Sequence, residues 1–551
     1  MKIRFSFERA IVVALLAGLA GGAAHAQSTS QKFTSTKHSV SAPMVRPDTV
    51  PVTTKSAEAR RDYELGYQHF EDLLMLDSGL DFLRQAVKAD PRFALGHATL
   101  AFVTFDPVEG ERHRALAVKY IATATPDERL LIRWMNGTKN GQLVPAIAAM
   151  NDLLARYPKD KELANMISGW LCSNEQAYDR GAEIVERVLQ QDPTFAPAMN
   201  NLAYCYALGG RANLAPAWMD KYVAAMPGQP NPQDSYAEIS RMMGNFPAAL
   251  EHYRAALRIS PEFTSSQVGI ASTYALMGDQ SRARDEYVKA LDMAKDPATI
   301  MNYRLLWAMT YFRENDFQNG RKANAEVAAE AHRKGFGLQE AEAYRATALF
   351  NPDPKSALHD LDSARAVLSE KHVLSPEDRD TELASILQTR TYIAVRAGMP
   401  EVAKTAFAPL NQLARTSRGN LIQQSYHSAN GAVLFAQGMY ADAISEFQED
   451  ARDPLSLQFL ADAETKVGEP AAGHDVLVKL AGINDERLET AFVVPQARAA
   501  LKAASPATAQ PAAAPESAAP ASAAPAAPAT PVAVAPATNA EVRGLRGGPL
   551  D

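Results

Sequence analysis

Three stretches of the chain share one pattern, and that pattern decides the fold. Residues 202–227 read LAYCYALGGRANLAPAWMDKYVAAMP, residues 236–261 read YAEISRMMGNFPAALEHYRAALRISP, and residues 270–297 read IASTYALMGDQSRARDEYVKALDMAKDP. In each stretch an alanine is followed by a glycine, then by a second alanine, and finally by a closing proline, at nearly constant offsets. A unit of about 34 residues with such offsets is typical of a helix–turn–helix repeat.

The closing proline also recurs upstream of these stretches. Successive members of the series lie about 34 residues apart, the spacing of such repeats; they are Pro91, Pro126, Pro158, Pro193, Pro227, Pro261 and Pro297. We therefore place a repeat array at residues 57–350. Because repeat arrays grow by stacking neighbours, the length of 551 residues gives no domain count.

The residue types explain why the pattern recurs. A glycine such as Gly244 ends the first helix, because a left-handed residue without a Cβ atom costs little. An alanine such as Ala237 lets the two helices of a hairpin approach closely, and Tyr253 fills the space between neighbouring hairpins. Pro261 ends the second helix, because proline cannot donate the helical hydrogen bond. Each hairpin is therefore incomplete without its neighbours.

These offsets resemble those of the tetratricopeptide repeat family, of the exported bacterial type. The resemblance implies an all-α fold, a right-handed superhelical solenoid of helix–turn–helix repeats with disordered termini. It also implies a concave face, lined by the first helix of each repeat, that binds protein segments. Carried onto this register, the groove positions of the family are Asn165, Asn200, Tyr204, Leu208, Asp234, Glu238, Arg241, Met242, Val268 and Ser272.

Some members of the family hold a peptide C-terminal carboxylate with a clamp of lysine and asparagine side chains. Asp234 and Val268 occupy two positions at which that clamp needs amides or cations. An acidic C-terminal peptide is therefore a poor match for this groove.

The two ends of the chain differ from the middle. Residues 1–26 combine basic residues, an apolar run and the sequence Ala24-His25-Ala26, which predicts a secretory signal cleaved after Ala26. Position 27 is glutamine, so the usual lipid-acceptor cysteine is absent there. We expect a periplasmic or secreted protein with no transmembrane segment in the mature chain.

Two segments lack the composition of a folded core. Residues 27–56 are predicted to be a disordered linker, and residues 504–551 an Ala/Pro-rich disordered tail that is either a solubilising linker or a tether to the cell envelope. Losing residues 1–26 would change the formal charge from −7 to −9, because three basic residues and one acidic residue are removed. This net negative charge and the predicted export signal argue against a nucleic-acid partner.

The repeat pattern weakens after Pro297. Asn351-Pro352-Asp353-Pro354 predicts an irregular hinge over residues 351–376, because proline disfavours helix in the residue before it. Degenerate helical repeats are predicted over residues 377–503. The sequence leaves open whether these repeats continue the same superhelix or fold back on it.

Motifs of catalytic chemistry are missing from the sequence. The histidines form no His-Glu-x-x-His zinc motif, and neither a phosphate-binding loop nor a Gly-x-Ser-x-Gly elbow occurs. We expect no catalytic residue, no metal site and no cofactor. Cys172 and Cys205 are the only cysteines, and in an exported chain they are either a disulfide or two buried thiols.

The leading functional hypothesis is an exported, non-enzymatic scaffold that binds an unidentified protein or peptide segment through its concave face. This hypothesis depends on fold analogy, which by itself specifies no partner. The alternative is a glycan-capturing helical-repeat protein of the cell surface.

Overall fold

The structure, a computed structural model, describes residues 48–72, 76–369 and 374–504. Regular structure within these ranges is helical throughout, with 25 α-helices, a π-helix at Gln68–Asp72 and short 3-10 turns. The α-helices are α1 Ala57–Tyr67, α2 Leu76–Ala89, α3 Ala94–Val103, α4 Pro107–Lys119, α5 Pro126–Lys139, α6 Leu143–Arg156, α7 Lys161–Ser173, α8 Tyr178–Gln191, α9 Ala196–Leu208, α10 Ala215–Ala225, α11 Asn231–Met242, α12 Phe246–Ile259, α13 Thr264–Met277, α14 Gln280–Met293, α15 Pro297–Arg313, α16 Phe317–Lys334, α17 Gly337–Phe350, α18 Pro354–Ser369, α19 Pro376–Arg396, α20 Pro400–Thr416, α21 Asn420–Ala436, α22 Tyr440–Glu449, α23 Pro454–Lys466, α24 Pro470–Ala481 and α25 Leu488–Ala504.

Consecutive helices pair as hairpins, from α1 with α2 to α23 with α24, and α25 follows the last pair. Each hairpin packs on the next, so the described residues form an all-α solenoid, as predicted. The predicted signal peptide, residues 27–47 of the predicted linker and residues 505–551 of the predicted tail lie outside the described residues. Within the described ranges, no helix is long and apolar enough to cross a membrane.

The repeat signature behaves as the sequence predicts. Gly244 and Gly278 have φ values of 77° and 90°, so each takes the left-handed conformation between the two helices of its hairpin. Ala249 and Ala283 are fully buried where the helices approach. Gly269 on α13 leaves room for the ring of Tyr253, which any Cβ atom at that position would strike.

The segment predicted as an irregular hinge, residues 351–376, is largely helical, and that prediction was wrong. Pro354 stands at the start of α18, where its missing N–H has no helical partner in any case. Asp353 accepts the backbone N–H of Ser356 at 3.0 Å, and the Asn351 amide donates to Asp360 at 3.0 Å. Pro352 therefore lies in a short, hydrogen-bonded connection of residues 351–353, and Pro354 begins the next helix.

The C-terminal hairpins both continue the stack and return to earlier repeats. α19 contacts α5, and Gln176 and Gln424 exchange amide hydrogen bonds, one of them 2.9 Å long. α25 contacts α15 and α17 in the middle of the array. The second half of the chain thereby covers part of the face that the first helices of the earlier hairpins present.

Candidate functional site on the concave face

The structure divides seven of the ten predicted groove residues into two groups. Asn165 and Asn200 line a cavity, described below. The side chains of the second group, Tyr204, Asp234, Glu238, Arg241 and Ser272, are at most 2 % exposed and are bonded inside the chain. The structure gives these five residues intramolecular roles in place of the partner contacts predicted for them.

Three members of the second group, Tyr204, Glu238 and Arg241, form a buried polar network with Glu486. Tyr204 Oη donates to Glu238 at 2.7 Å, and Arg241 donates to Glu238 at 3.2 Å and to Glu486 in the connection before α25. Burial raises the pKa of Glu238, although Arg241 and Tyr204 act against that rise. The network ties Glu486 to α11, so this part of the concave face is filled by the protein itself.

Asp234 lies next to this network and accepts the Ser266 hydroxyl at 2.6 Å. Burial raises its pKa well above the ordinary value, with Glu238 raising it further and Arg241 and Ser266 opposing. A raised folded-state pKa means that the folded protein holds this proton more tightly than the unfolded chain. The contribution of Asp234 to stability is therefore lost as pH rises from about 3.9 through the folded-state pKa.

We expect Asp234→Asn to be more stable than the parent protein at pH 8, with a gain that shrinks as pH falls toward 4. The uncharged amide keeps an acceptor for Ser266 and removes the buried charge. Denaturant unfolding of both proteins across this pH range measures the difference. Asp152→Asn, at an exposed position, is the control and should show no such trend. A stability difference independent of pH would contradict the assignment.

A second buried network ties α25 to the array. Arg345 on α17 is fully buried and donates to Glu382 at 3.1 Å and to Glu489 at 2.7 Å. The three side chains belong to α17, α19 and α25. A single guanidinium thus joins three helices that are distant in sequence.

Asn165 and Asn200 line a cavity of about 340 Å³ between the two halves of the solenoid. One wall is formed by α5, α7 and α9, and the other by the start of α19 and the connection from α20 to α21. Phe102 and Trp170 contribute aromatic surface, and Trp134 packs behind them at ring distances of 5.2 and 5.8 Å. Of the residues that line the cavity, the sequence analysis singled out only Asn165 and Asn200.

Inside the cavity, the amides are not all satisfied. The Asn201 amide donates to the backbone and side-chain oxygens of Asn165 at 2.9 and 2.8 Å. Asn200 is 1 % exposed, and its Oδ1 atom has no hydrogen-bond partner among the described residues. A buried acceptor without a donor is unfavourable, so Asn200 lowers the stability of this part of the fold.

Residues 48–56, assigned to the disordered linker by the sequence, are instead ordered and extended against the first three hairpins after α2. The Val50 N–H donates to Asp160 at 2.8 Å, the Thr53 N–H donates to Glu128 at 2.5 Å, and the Thr54 hydroxyl donates to Asp90 at 2.6 Å. These carboxylates precede or begin α7, α5 and α3. The segment therefore crosses the starts of three first helices.

Apolar contacts hold the same segment. Val50 and Val52 pack against the core of the first hairpins. Leu95, Leu131 and Leu163 line the groove beneath the segment. We call this surface, with Asp90, Glu128 and Asp160, the segment-binding face. The available sequence signal was the pair of valines that flank Pro51.

The structure joins Cys172 on α7 and Cys205 on α9 by a disulfide. Their Cα atoms are 5.6 Å apart, closer than the 8–10 Å typical of packed helix axes. Of the two alternatives that the sequence left open, the structure has the bridge. It fixes the two helices that carry Asn165 and Asn200.

Among the described residues, no group of three or more histidine, cysteine, aspartate or glutamate side chains is arranged to hold a metal ion. The hairpins recur with a left-handed glycine at positions 210, 244 and 278 and buried alanines at 215, 249 and 283. The chain is a tetratricopeptide-like repeat protein. No protein-family model and no curated protein sequence matches this repeat protein significantly.

The solved structures that resemble this tetratricopeptide-like protein include the three that follow. A tetratricopeptide repeat protein from Parabacteroides merdae is 13 % identical, covering 56 % of this chain and 98 % of its own, with a TM-score of 0.33. A chain of the Cut9-Hcn1 hetero-tetramer of APC/C is 14 % identical. The match covers 76 % of this chain and 78 % of that chain, with a TM-score of 0.38. PilW, a type IV pilus biogenesis factor, is 16 % identical. The match covers 42 % of this chain and 91 % of PilW, with a TM-score of 0.26.

Proposed function

We propose that this protein is an exported, non-enzymatic scaffold that binds an extended segment of a partner protein on its concave side. The observation that carries the proposal is the extended segment of residues 48–56 on the segment-binding face. Its backbone and hydroxyl donors reach carboxylates on three successive hairpins. An extended polypeptide is thus accommodated by the repeat spacing of this surface.

The chemistry of the face defines the partner segment. Each contact from Val50 and Thr53 uses a backbone N–H, which any residue except proline supplies. The three carboxylates disfavour an acidic partner, and the leucines beneath favour small apolar or β-branched side chains. The partner segment is therefore extended, non-acidic and rich in such residues.

Export is supported by the composition of residues 1–26 and by the disulfide. A bridge such as Cys172–Cys205 persists in oxidising compartments and is rare in reducing ones. We therefore place the mature protein in the periplasm or outside the cell.

The test uses the chain's own segment as a competing ligand. Val50→Glu with Val52→Glu brings two carboxylates toward Asp160 and Glu128 and removes apolar packing, so it should release the segment. A fluorescent peptide of residues 48–56 should then bind the double variant at least about tenfold more tightly than the parent chain, in which the tethered segment competes at millimolar effective concentration.

A peptide of the same composition in scrambled order is the control and should bind neither chain. Thermal unfolding of the double variant verifies that the array remains folded. The proposal fails if the native and scrambled peptides bind alike, or if the parent chain and the double variant bind the native peptide equally.

A further inference from the structure

We propose that the buried pair of His97 and His113 makes the N-terminal hairpins sensitive to acid, so that mild acidification loosens residues 48–56 from the segment-binding face. The two rings belong to α3 and α4 and take no part in the contacts described above. The use of this release as a control of partner binding rests on the proposed function, but the release itself is measurable without any partner.

The two rings share one hydrogen bond inside the fold. His97 and His113 are 3 % and 7 % exposed, and their Nδ1 atoms lie 2.8 Å apart. His97 Nε2 lies 3.1 Å from the carbonyl oxygen of Pro91, which only accepts, so Nε2 carries a proton. In the neutral pair, His97 Nδ1 therefore accepts and His113 Nδ1 donates. If both rings were protonated, two N–H groups would face each other and this hydrogen bond would be lost.

His97 also holds the connection that anchors the segment. This connection joins α2 to α3 and carries both Asp90 and Pro91. The carbonyl of Pro91 accepts from His97 Nε2. The carboxylate of Asp90 accepts the Thr54 hydroxyl at 2.6 Å and the Lys55 N–H at 3.3 Å. Movement of His97 would therefore disturb the connection that holds the C-terminal end of the segment.

Burial disfavours protonation of both rings. It lowers the pKa of His113 to about 4, with His97 and two arginines lowering it further and Glu109 opposing. Burial also lowers the pKa of His97, although the Pro91 carbonyl and Asp90 act against that change. Both rings are therefore held in the neutral form that their shared hydrogen bond requires.

The charged groups around the pair come from several elements. Those that act on the two rings belong to α2, to the connection before α3 and to α4; they are Arg84, Asp90, Glu109 and Arg112. Arg92 and Lys119 lie over the ring of Tyr120, which stacks on His97. α5 also packs on α3, but none of its described charged side chains is among the groups that act on the rings.

The lowered pKa values make opening of the pair more favourable in acid. Each ring has a pKa of about 6.5 in water, so the open form binds protons more tightly than the closed form. The equilibrium constant for opening therefore rises as pH falls from about 6.5 toward the folded-state value of about 4 for His113. Because repeats couple mainly to their neighbours, the effect should stay within the N-terminal hairpins.

Hydrogen exchange of the full chain at pH 7.5 and pH 5, resolved by segment and corrected for the intrinsic effect of pH, tests the proposal. We expect the opening constants of α3, of α4 and of residues 49–56 to rise at least about tenfold at pH 5, a rise for which the shifted pKa of His113 alone is sufficient. Helices α13 and α14 carry no histidine and are the internal reference, so their exchange should change much less.

His113→Asn keeps an N–H donor beside His97 but does not titrate, so it should remove most of the rise. His474→Gln changes an exposed histidine on α24 and should keep the response of the parent chain. Equal exchange of the parent and His113→Asn at pH 7.5 verifies the fold of the variant.

Three outcomes would overturn the proposal. In the first, His113→Asn retains the full rise. In the second, α13 and α14 of the parent chain open as much as α3 and α4. In the third, α3 and α4 open while residues 49–56 stay protected. The last two outcomes need only the parent chain, and none of the three depends on binding of a partner segment.

Discussion

Replacing Arg345 with methionine should lower the unfolding free energy by about 3–5 kcal/mol, the cost of breaking a buried ion pair. The guanidinium is fully buried and binds Glu382 on α19 and Glu489 on α25. Methionine keeps much of the side-chain volume but removes the guanidinium that donates to both buried carboxylates. Denaturant unfolding at pH 7 measures the loss, and amide exchange in α25 should rise first, because this contact ties α25 to α17.

Two comparisons separate the buried charge from general damage. Arg211→Met removes an exposed pair with Asp179 and should cost less than about 1 kcal/mol. Adding Glu382→Gln and Glu489→Gln to Arg345→Met removes these two buried charges and should recover much of the stability. If Arg345→Met and Arg211→Met were equally stable, the role given to Arg345 would be incorrect.

Removing the disulfide should cost about 2–4 kcal/mol, because the bridge restricts the unfolded chain. The double change of Cys172 and Cys205 to alanine opens a loop with a sequence separation of 33 residues. Repeats couple mainly to their neighbours, so the loss should concentrate in α7–α9 and the cavity. Hydrogen exchange resolved by segment measures this distribution.

A reducing agent provides the matched control for the disulfide. It should destabilise the parent chain by a similar amount and leave the double alanine variant unchanged. Thiol titration of the unfolded parent protein, taken from its own compartment without reductant, should find no free thiol. Detection of two free thiols in this unfolded, unreduced protein would contradict both the disulfide and the proposed export.

The sequence by itself determined the repeat and its hairpins. Ala237, Gly244 and Ala249 lie within one hairpin, and each residue type has a local cause. The two alanines allow the helices to approach closely, and the glycine adopts the left-handed conformation of the turn. These requirements involve only one hairpin and its neighbour, so they can be recognised in the amino-acid sequence alone. For the same reason, the sequence predicted that Asn165 and Asn200 lie on first helices.

The hinge prediction shows where local rules mislead. Paired prolines usually interrupt a helix, yet Pro354 begins α18 because the first turn tolerates proline. The Asn351 and Asp353 side chains then accept the backbone N–H groups of Asp353 and Ser356. Sequence reasoning recognised the break between helices and overestimated its length.

Only the tertiary structure decided what occupies the concave face. Arg241 meets Glu486 and Arg345 meets Glu489 across 245 and 144 residues of sequence, and Asp160 meets Val50 across 110. The repeat pattern of the sequence does not predict these long-range pairs, because each pair depends on how the small rotations between hairpins accumulate along the array. Accumulated rotation brings the second half of the chain against the first, and that closure fills one part of the predicted groove and turns another into a cavity.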